Sequence, residues 1–181
     1  MKKPDFNNLL KVLACKTPDS PTLFEFFLNT PLYKVLAGDE CPEEGIKYEN
    51  HILMTKAFAN AGYDYVTINA SSFSFPRPVK KSASTISLNE APCITDKESF
   101  LEYKWQDPDE ADYSHLDYVK SILPDGMKII IHGPSGVLEN TINLVGYDNL
   151  CLMIHDDPAL SEKVFNEVRS RLLRSYEKAV K

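Results

Sequence analysis

The sequence predicts an α/β fold that corresponds to the N-terminal part of a TIM (β/α)₈ barrel. Three strand–helix units can be read along its 181 residues. The third predicted strand, residues 128–134, is apolar and runs directly into a helix-opening turn, as strands of parallel sheets do. A closed barrel takes about 250 residues. We therefore expect residues 1–181 to form one partial barrel domain of about three βα units and an inserted hairpin, open unless oligomerisation completes it.

Composition and charge narrow the possible functions. Hydrophobic residues make up 43% of the chain and charged residues 25%, which is enough apolar side chain for a core. The net charge of −6 argues against a broad nucleic-acid-binding surface, since phosphate contacts need clustered Lys and Arg. No stretch reaches the roughly 18 apolar residues of a membrane span. We expect neither nucleic acid nor membrane as a partner.

The four cysteines are far apart, and no CxxC motif joins them: Cys15, Cys41, Cys93 and Cys151. This spacing argues against a zinc knuckle or a redox pair and is typical of reduced thiols in a cytosolic protein. The charged N-terminus lacks the apolar segment of a signal peptide. The expected location is the cytoplasm.

The first predicted unit begins with a helix over residues 5–15, whose apolar positions have helical spacing. Prolines and a serine then interrupt the chain over residues 18–21. The aromatic run at residues 22–27 predicts strand one. Asn29, followed by proline at the first helical turn, predicts a helix that ends at Gly38.

The second predicted unit is a helix over residues 46–61 with Gly62 as its C-cap, followed by strand two at residues 64–68. An irregular loop follows at residues 71–78. Weak alternation over residues 81–94 is consistent with a β-hairpin inserted after strand two.

The third predicted unit has a short helix from Asp96, a helix over residues 114–123 and strand three. Further helices are predicted over residues 137–145 and 149–154. Asp157 and the proline after it predict the start of an amphipathic helix that continues to the end of the chain, with no fourth strand after it.

Two residues are candidates for catalysis. Glu25 is an acid in an otherwise apolar segment, so it must be paired, solvated at a barrel mouth or titrating. His132 ends strand three, where barrel chemistry usually takes place. The structural alternatives are an exposed edge position for Glu25 and a histidine bonded to a neighbouring turn for His132.

Five further residues are candidates for substrate binding. Three follow strand two and two open the helix after strand three: Asn69, Ser71, Ser72, Ser135 and Gly136. The first group offers polar contacts, and the second offers free N–H groups to an anion. The alternatives are turn residues and a helix N-terminus whose dipole Glu139 satisfies. His51 and His115 have no sequence neighbours that indicate a site.

Several separated motifs resemble, in order, the N-terminal half of the uroporphyrinogen decarboxylase and corrinoid methyltransferase superfamily. They cover most of the chain: PDFNNLLKVL at 4–13, ANAGYDYV at 59–66, LPDGMKIIIHGPSGVLE at 123–139, VGYDNL at 145–150 and DDP at 156–158. The resemblance implies a TIM barrel and either decarboxylation of uroporphyrinogen or methyl transfer between a cobalamin protein and a thiol.

Two departures favour the methyltransferase branch of this resemblance. The decarboxylase has an arginine motif after strand one, but residues 25–30 contain no arginine. It also has an aspartate after strand two, where this chain has Asn69 and Ala70. Without that arginine, the site would lack the positive charge that binds a polyanionic substrate such as uroporphyrinogen.

The methyltransferase branch binds zinc through a His-x-Cys pair and a later cysteine in the second half of the barrel. The resemblance therefore implies no cofactor within this chain, with zinc and a corrinoid partner supplied if a complete barrel forms. It implies as partners a second copy or a complementary C-terminal half, and a corrinoid protein or a tetrapyrrole ligand. The alternatives are a uroporphyrinogen decarboxylase and a non-catalytic half-barrel that acts as an interaction module or is a truncated remnant.

Overall fold

A computed structural model describes residues 3–77, 89 and 91–181 of the chain. The structure divides into two compact units. The first contains the residues up to Asn69 together with Tyr113–His132, and the second contains Ala70–Asp112 and Gly133–Lys181.

The helices of the first unit are α1 (Asn7–Leu13), α2 (Thr30–Ala37), α3 (Glu49–Asn60) and α5 (Ser114–Ile122). Its strands are β1 (Tyr65–Asn69) and β2 (Lys128–His132), which pair in parallel. A parallel pair needs a crossover connection. Here the chain leaves β1, passes through Ala70–Asp112 of the second unit and returns through α5 to β2.

The helices of the second unit are α4 (Lys97–Glu102), α6 (Val137–Val145), α7 (Tyr147–Asp156) and α8 (Pro158–Ala179). The long helix α8 packs against α6 and α7. The core of this unit combines apolar residues of α6, α7 and α8 with an aromatic group from the chain before and after α4.

Local capping explains why three of the helices begin where the sequence predicted. The Asn29 side chain accepts a hydrogen bond from the Leu32 backbone N–H at the start of α2. Asp96 forms a reciprocal capping box with Ser99 at α4, and Asp157 caps α8 with proline at its first position. The predictions of these three helix starts are confirmed.

Strand one is a wrong prediction. Residues 22–27 are all described, and they form no β-strand. The Glu25 and Phe26 backbone groups hydrogen bond with side-chain hydroxyl groups of β1 instead of with a neighbouring backbone. The described residues therefore contain two strands, not three. The predicted hairpin over residues 81–94 falls mostly outside the described residues.

The two strands differ in burial. Tyr65 to Ile68 of β1 are buried, whereas Ile129, Ile130 and Ile131 of β2 are only half-buried. Parallel strands are usually covered on both faces.

Within the described ranges, no helix has both the length and the apolar character needed to cross a bilayer.

Candidate functional site

The candidate site in the first unit lies at the carboxyl ends of the two strands. Asn69 is paired with His132 in the parallel register, so these two last strand residues are neighbours. Parallel strands place their carboxyl ends at the same edge of the sheet, which is where ligands bind in α/β folds. The structure thus brings together two of the residues that the sequence singled out.

His132 is half-buried and contacts an aromatic ring. The centroid of the Phe26 ring lies 5.1 Å from that of the imidazole, with the rings tilted by 51°. Phe26 is held in turn by the Thr67 hydroxyl, which donates a hydrogen bond to its backbone carbonyl. The chain over residues 22–27, which forms no strand, therefore supplies one wall beside His132.

Glu25 is exposed and is not part of a strand. Its carboxylate accepts a hydrogen bond of 2.9 Å from the Phe26 backbone N–H. Burial and, to a smaller extent, the charge of Glu25 raise the pKa of the Tyr63 phenol. Burial also raises the pKa of Tyr65, partly offset by its hydrogen bond to the Glu25 backbone. Glu25 is thus solvated and near two phenols, and it lies one residue from the ring that contacts His132.

Asn69 is anchored through its backbone by a histidine that the sequence did not indicate as a site residue. The His115 Nε2 atom lies 2.7 Å from the Asn69 carbonyl oxygen. His115 is buried, and its ring centroid lies 4.8 Å from that of His51. Burial and the nearby His115 lower the pKa of His51. This pair links α3 and α5 to the end of β1.

The sequence contains no local signal for the histidine pair, because its members are on different helices. Tyr48 completes the cluster, with its ring 4.9 Å from that of Tyr118 and its hydroxyl 2.7 Å from the Ser114 hydroxyl. The backbone of Tyr48 has φ of 63°, which is unusual for an aromatic residue and costs energy. The ring and hydroxyl contacts stabilise this conformation.

In the second unit, the two serines that follow β1 have structural partners. The Ser71 hydroxyl lies 3.3 Å from that of Ser175 and accepts a hydrogen bond from the Phe73 backbone N–H. The Ser72 hydroxyl accepts from the Asp112 N–H at 2.9 Å, and the Ser72 N–H donates to the Asp112 carbonyl at 3.1 Å. These contacts are those of turn residues, which was the structural alternative.

The turn that follows β2 starts at Gly133 and belongs to the second unit, and α8 of the second unit closes it. The Gly133 N–H donates a hydrogen bond of 2.6 Å to the Tyr176 hydroxyl. Ser135 has φ of 69° and is exposed. Gly136 is the N-cap of α6, and a β-carbon there would collide with the Glu139 carboxylate. The carboxylate of Glu139 thus lies close to the position where an anion would bind at this helix N-terminus.

The second unit also contains a surface cavity of about 550 Å³. It is bounded by the ends of α4, α7 and α8, and the Lys97–Asp157 ion pair, 3.2 Å long, crosses part of its wall. None of the residues predicted for the site lines it. Across residues 3–77, 89 and 91–181, no three His, Cys, Asp or Glu side chains are grouped closely enough to hold a metal ion.

The chain was compared with models of protein families, with curated proteins and with solved structures. No family model, no curated protein and no solved structure matches it.

Proposed function

We propose that this protein belongs to the uroporphyrinogen decarboxylase-like superfamily and is a divergent corrinoid-dependent methyltransferase-type enzyme, or the front part of one. The observation that carries the proposal is the parallel register that pairs Asn69 with His132 at the carboxyl edge of the sheet. In such barrels this edge holds the chemistry. The ordered motifs in the sequence give the same assignment.

In this proposal His132 exchanges a proton with the substrate or coordinates a ligand, and Asn69 binds a polar group beside it. An imidazole is suited to proton transfer near neutral pH. The Phe26 ring restricts His132 on one side. Glu25 contributes negative charge at the mouth of the site, since it is exposed and one residue from Phe26.

The three serines and Gly136 belong to the second unit and are not part of the proposed site, which the first unit forms. Ser71 and Ser72 position the turn after β1 through the hydrogen bonds described above. The Ser135 backbone N–H already donates a hydrogen bond of 2.9 Å to the Gly133 carbonyl, and the Glu139 carboxylate lies beside Gly136. This turn of the second unit is therefore unsuited to binding an anion.

Zinc does not fit the described residues of this chain, which contain no group of ligands for it. The proposal assigns zinc and the corrinoid to a complementary half or a partner protein. A second copy of the chain is the other candidate for completing the barrel. A cytoplasmic location is part of the proposal, because all four cysteines are free thiols.

Ligand binding tests the proposal. Hydroxocobalamin and uroporphyrin are titrated against the chain, alone and with a complementary C-terminal half, and followed by absorbance. We expect hydroxocobalamin to bind, with a dissociation constant raised at least about tenfold by His132→Gln or Asn69→Ala. His155→Gln is the control, since that histidine is exposed on α7.

The other outcomes separate the alternatives. Binding of uroporphyrin alone favours the decarboxylase, and binding of neither ligand under either condition contradicts both enzymatic proposals. A non-catalytic interaction module is the second candidate function. The exposed aromatic side chains at residues 24, 26 and 27 favour it.

A further inference from the structure

The first unit exposes a concentration of apolar side chains in one short stretch of chain. Between residues 23 and 35, six large hydrophobic residues are each 39% to 76% exposed: Leu23, Phe24, Phe26, Phe27, Leu32 and Val35. We call this stretch the 23–35 surface. Taking about 150–250 Å² for each aromatic side chain and somewhat less for Leu and Val, it leaves roughly 600 Å² of apolar area in water.

The 23–35 surface is held in place by hydrogen bonds. The Tyr65 hydroxyl bonds both backbone groups of Glu25, and the Thr67 hydroxyl bonds the Phe26 carbonyl. The Leu28 N–H donates a hydrogen bond of 2.8 Å to the hydroxyl of Tyr33, which lies in α2. The exposed rings are therefore presented by an anchored backbone, so little conformational entropy is lost when a partner covers them.

We propose that the 23–35 surface is a self-association surface whose occupant is a second copy of this chain. A standard interface buries about 800 Å² on each partner. The roughly 600 Å² of apolar area summed over the six exposed side chains is most of that amount. The interfaces of homodimers are also the most apolar class.

Charge favours a second copy over a charged partner. Between residues 21 and 36 the only charged side chains are Glu25 and Lys34, and both are exposed. A two-fold interface brings residue i of one copy to residue j of the other and the reverse. One acid and one base on the same surface satisfy that symmetry, although the whole chain carries a net charge of −6.

The test is the dissociation constant of the dimer, from light scattering and sedimentation of the full chain over a range of concentrations. Phe27→Glu and Val35→Glu, made separately, each place a carboxylate at a site that is 67% or 76% exposed. Each is expected to raise the constant at least about tenfold. The control is Leu101→Glu, on α4 of the second unit and 81% exposed, which is expected to leave the constant unchanged.

Circular dichroism of each variant confirms that it is folded, and a variant that fails this check is replaced by Phe24→Glu. A monomer at every concentration overturns the proposal. So does a dimer that both surface variants leave intact, or one that Leu101→Glu weakens equally. Self-association and corrinoid binding are independent outcomes. A dimer that binds no corrinoid supports the self-association surface and contradicts the catalytic proposal. A monomer that binds corrinoid overturns the self-association surface and leaves the catalytic proposal standing.

Discussion

The hydroxyl group of Tyr65 hydrogen bonds with both backbone groups of Glu25. It accepts from the Glu25 N–H at 2.6 Å and donates to the Glu25 carbonyl at 2.7 Å. The Tyr65 side chain therefore forms the two backbone hydrogen bonds that a neighbouring strand would form with Glu25 in a sheet. This contact fixes the chain that carries Phe26 to the His132 ring.

We expect Tyr65→Phe to lower the free energy of unfolding by about 1–3 kcal/mol, because two backbone groups lose their partner. Urea unfolding measures the change. Tyr63→Phe is the matched control, since the Tyr63 ring contacts Phe58 and Tyr65 but its hydroxyl, unlike that of Tyr65, does not bond the Glu25 backbone. Equal losses in the two variants would show that the hydroxyl of Tyr65 does not anchor the segment.

We expect the stability of the first unit to depend on pH through His51. Its pKa is lowered in the folded protein by burial and by His115. The folded state then binds fewer protons than the unfolded state, whose histidine pKa is about 6.5. This contribution is fully present above pH of about 6.5 and is lost as the pH falls from there toward the lower folded pKa.

His51→Gln tests this dependence, because it removes the titrating group. The difference in unfolding free energy between wild type and variant should shrink as the pH falls from neutral toward the lower folded pKa of His51. A wild-type minus His51→Gln difference that stays constant over this range contradicts the prediction.

We expect Gly126→Ala to destabilise the protein more than Gly45→Ala. Both glycines have positive φ, 85° and 83°, where an alanine is strained by about 1–2 kcal/mol. A β-carbon at Gly126 would also collide with the Pro4 carbonyl oxygen, whereas nothing lies within 4 Å of one at Gly45. The collision should add about 1–3 kcal/mol. Equal losses in urea unfolding would mean that the N-terminal segment moves aside at no cost.

We expect the turn after β2 to be coupled to α8 through Gly133 and Tyr176. A β-carbon at Gly133 would lie 2.6 Å from the Tyr176 hydroxyl oxygen, so Gly133→Ala should be destabilising. The cost should be smaller when Tyr176→Ala has made room. A double-mutant cycle on the free energy of unfolding should give a coupling of about 0.5–3 kcal/mol. Additive effects would contradict the contact.

The starts of three helices could be predicted because they depend on contacts a few residues apart. Asn29, Asp96 and Asp157 each cap a helix through a backbone N–H three residues later. The strands at residues 64–68 and 128–134 were also predicted from apolar runs bounded by turns, and they appear as Tyr65–Asn69 and Lys128–His132. Of the residues predicted for a site, Asn69 and His132 are neighbours at the strand ends.

The remaining features depend on residues that are distant in sequence. Whether residues 22–27 form a strand is decided by what lies beside them, and here hydroxyl groups of β1 take their backbone hydrogen bonds. His51 and His115 became neighbours only through the packing of α3 against α5. No local pattern carries that information.

By itself, then, the sequence determined the helices, three of their caps and two strands of an α/β chain, because capping and hydrophobic periodicity are short-range. Only the tertiary structure decided that Glu25 is a solvated residue held by Tyr65, that Phe26 contacts His132 and that His115 anchors Asn69. It also decided that the 23–35 surface faces water. Each of these depends on contacts between separate elements, which local propensity does not specify.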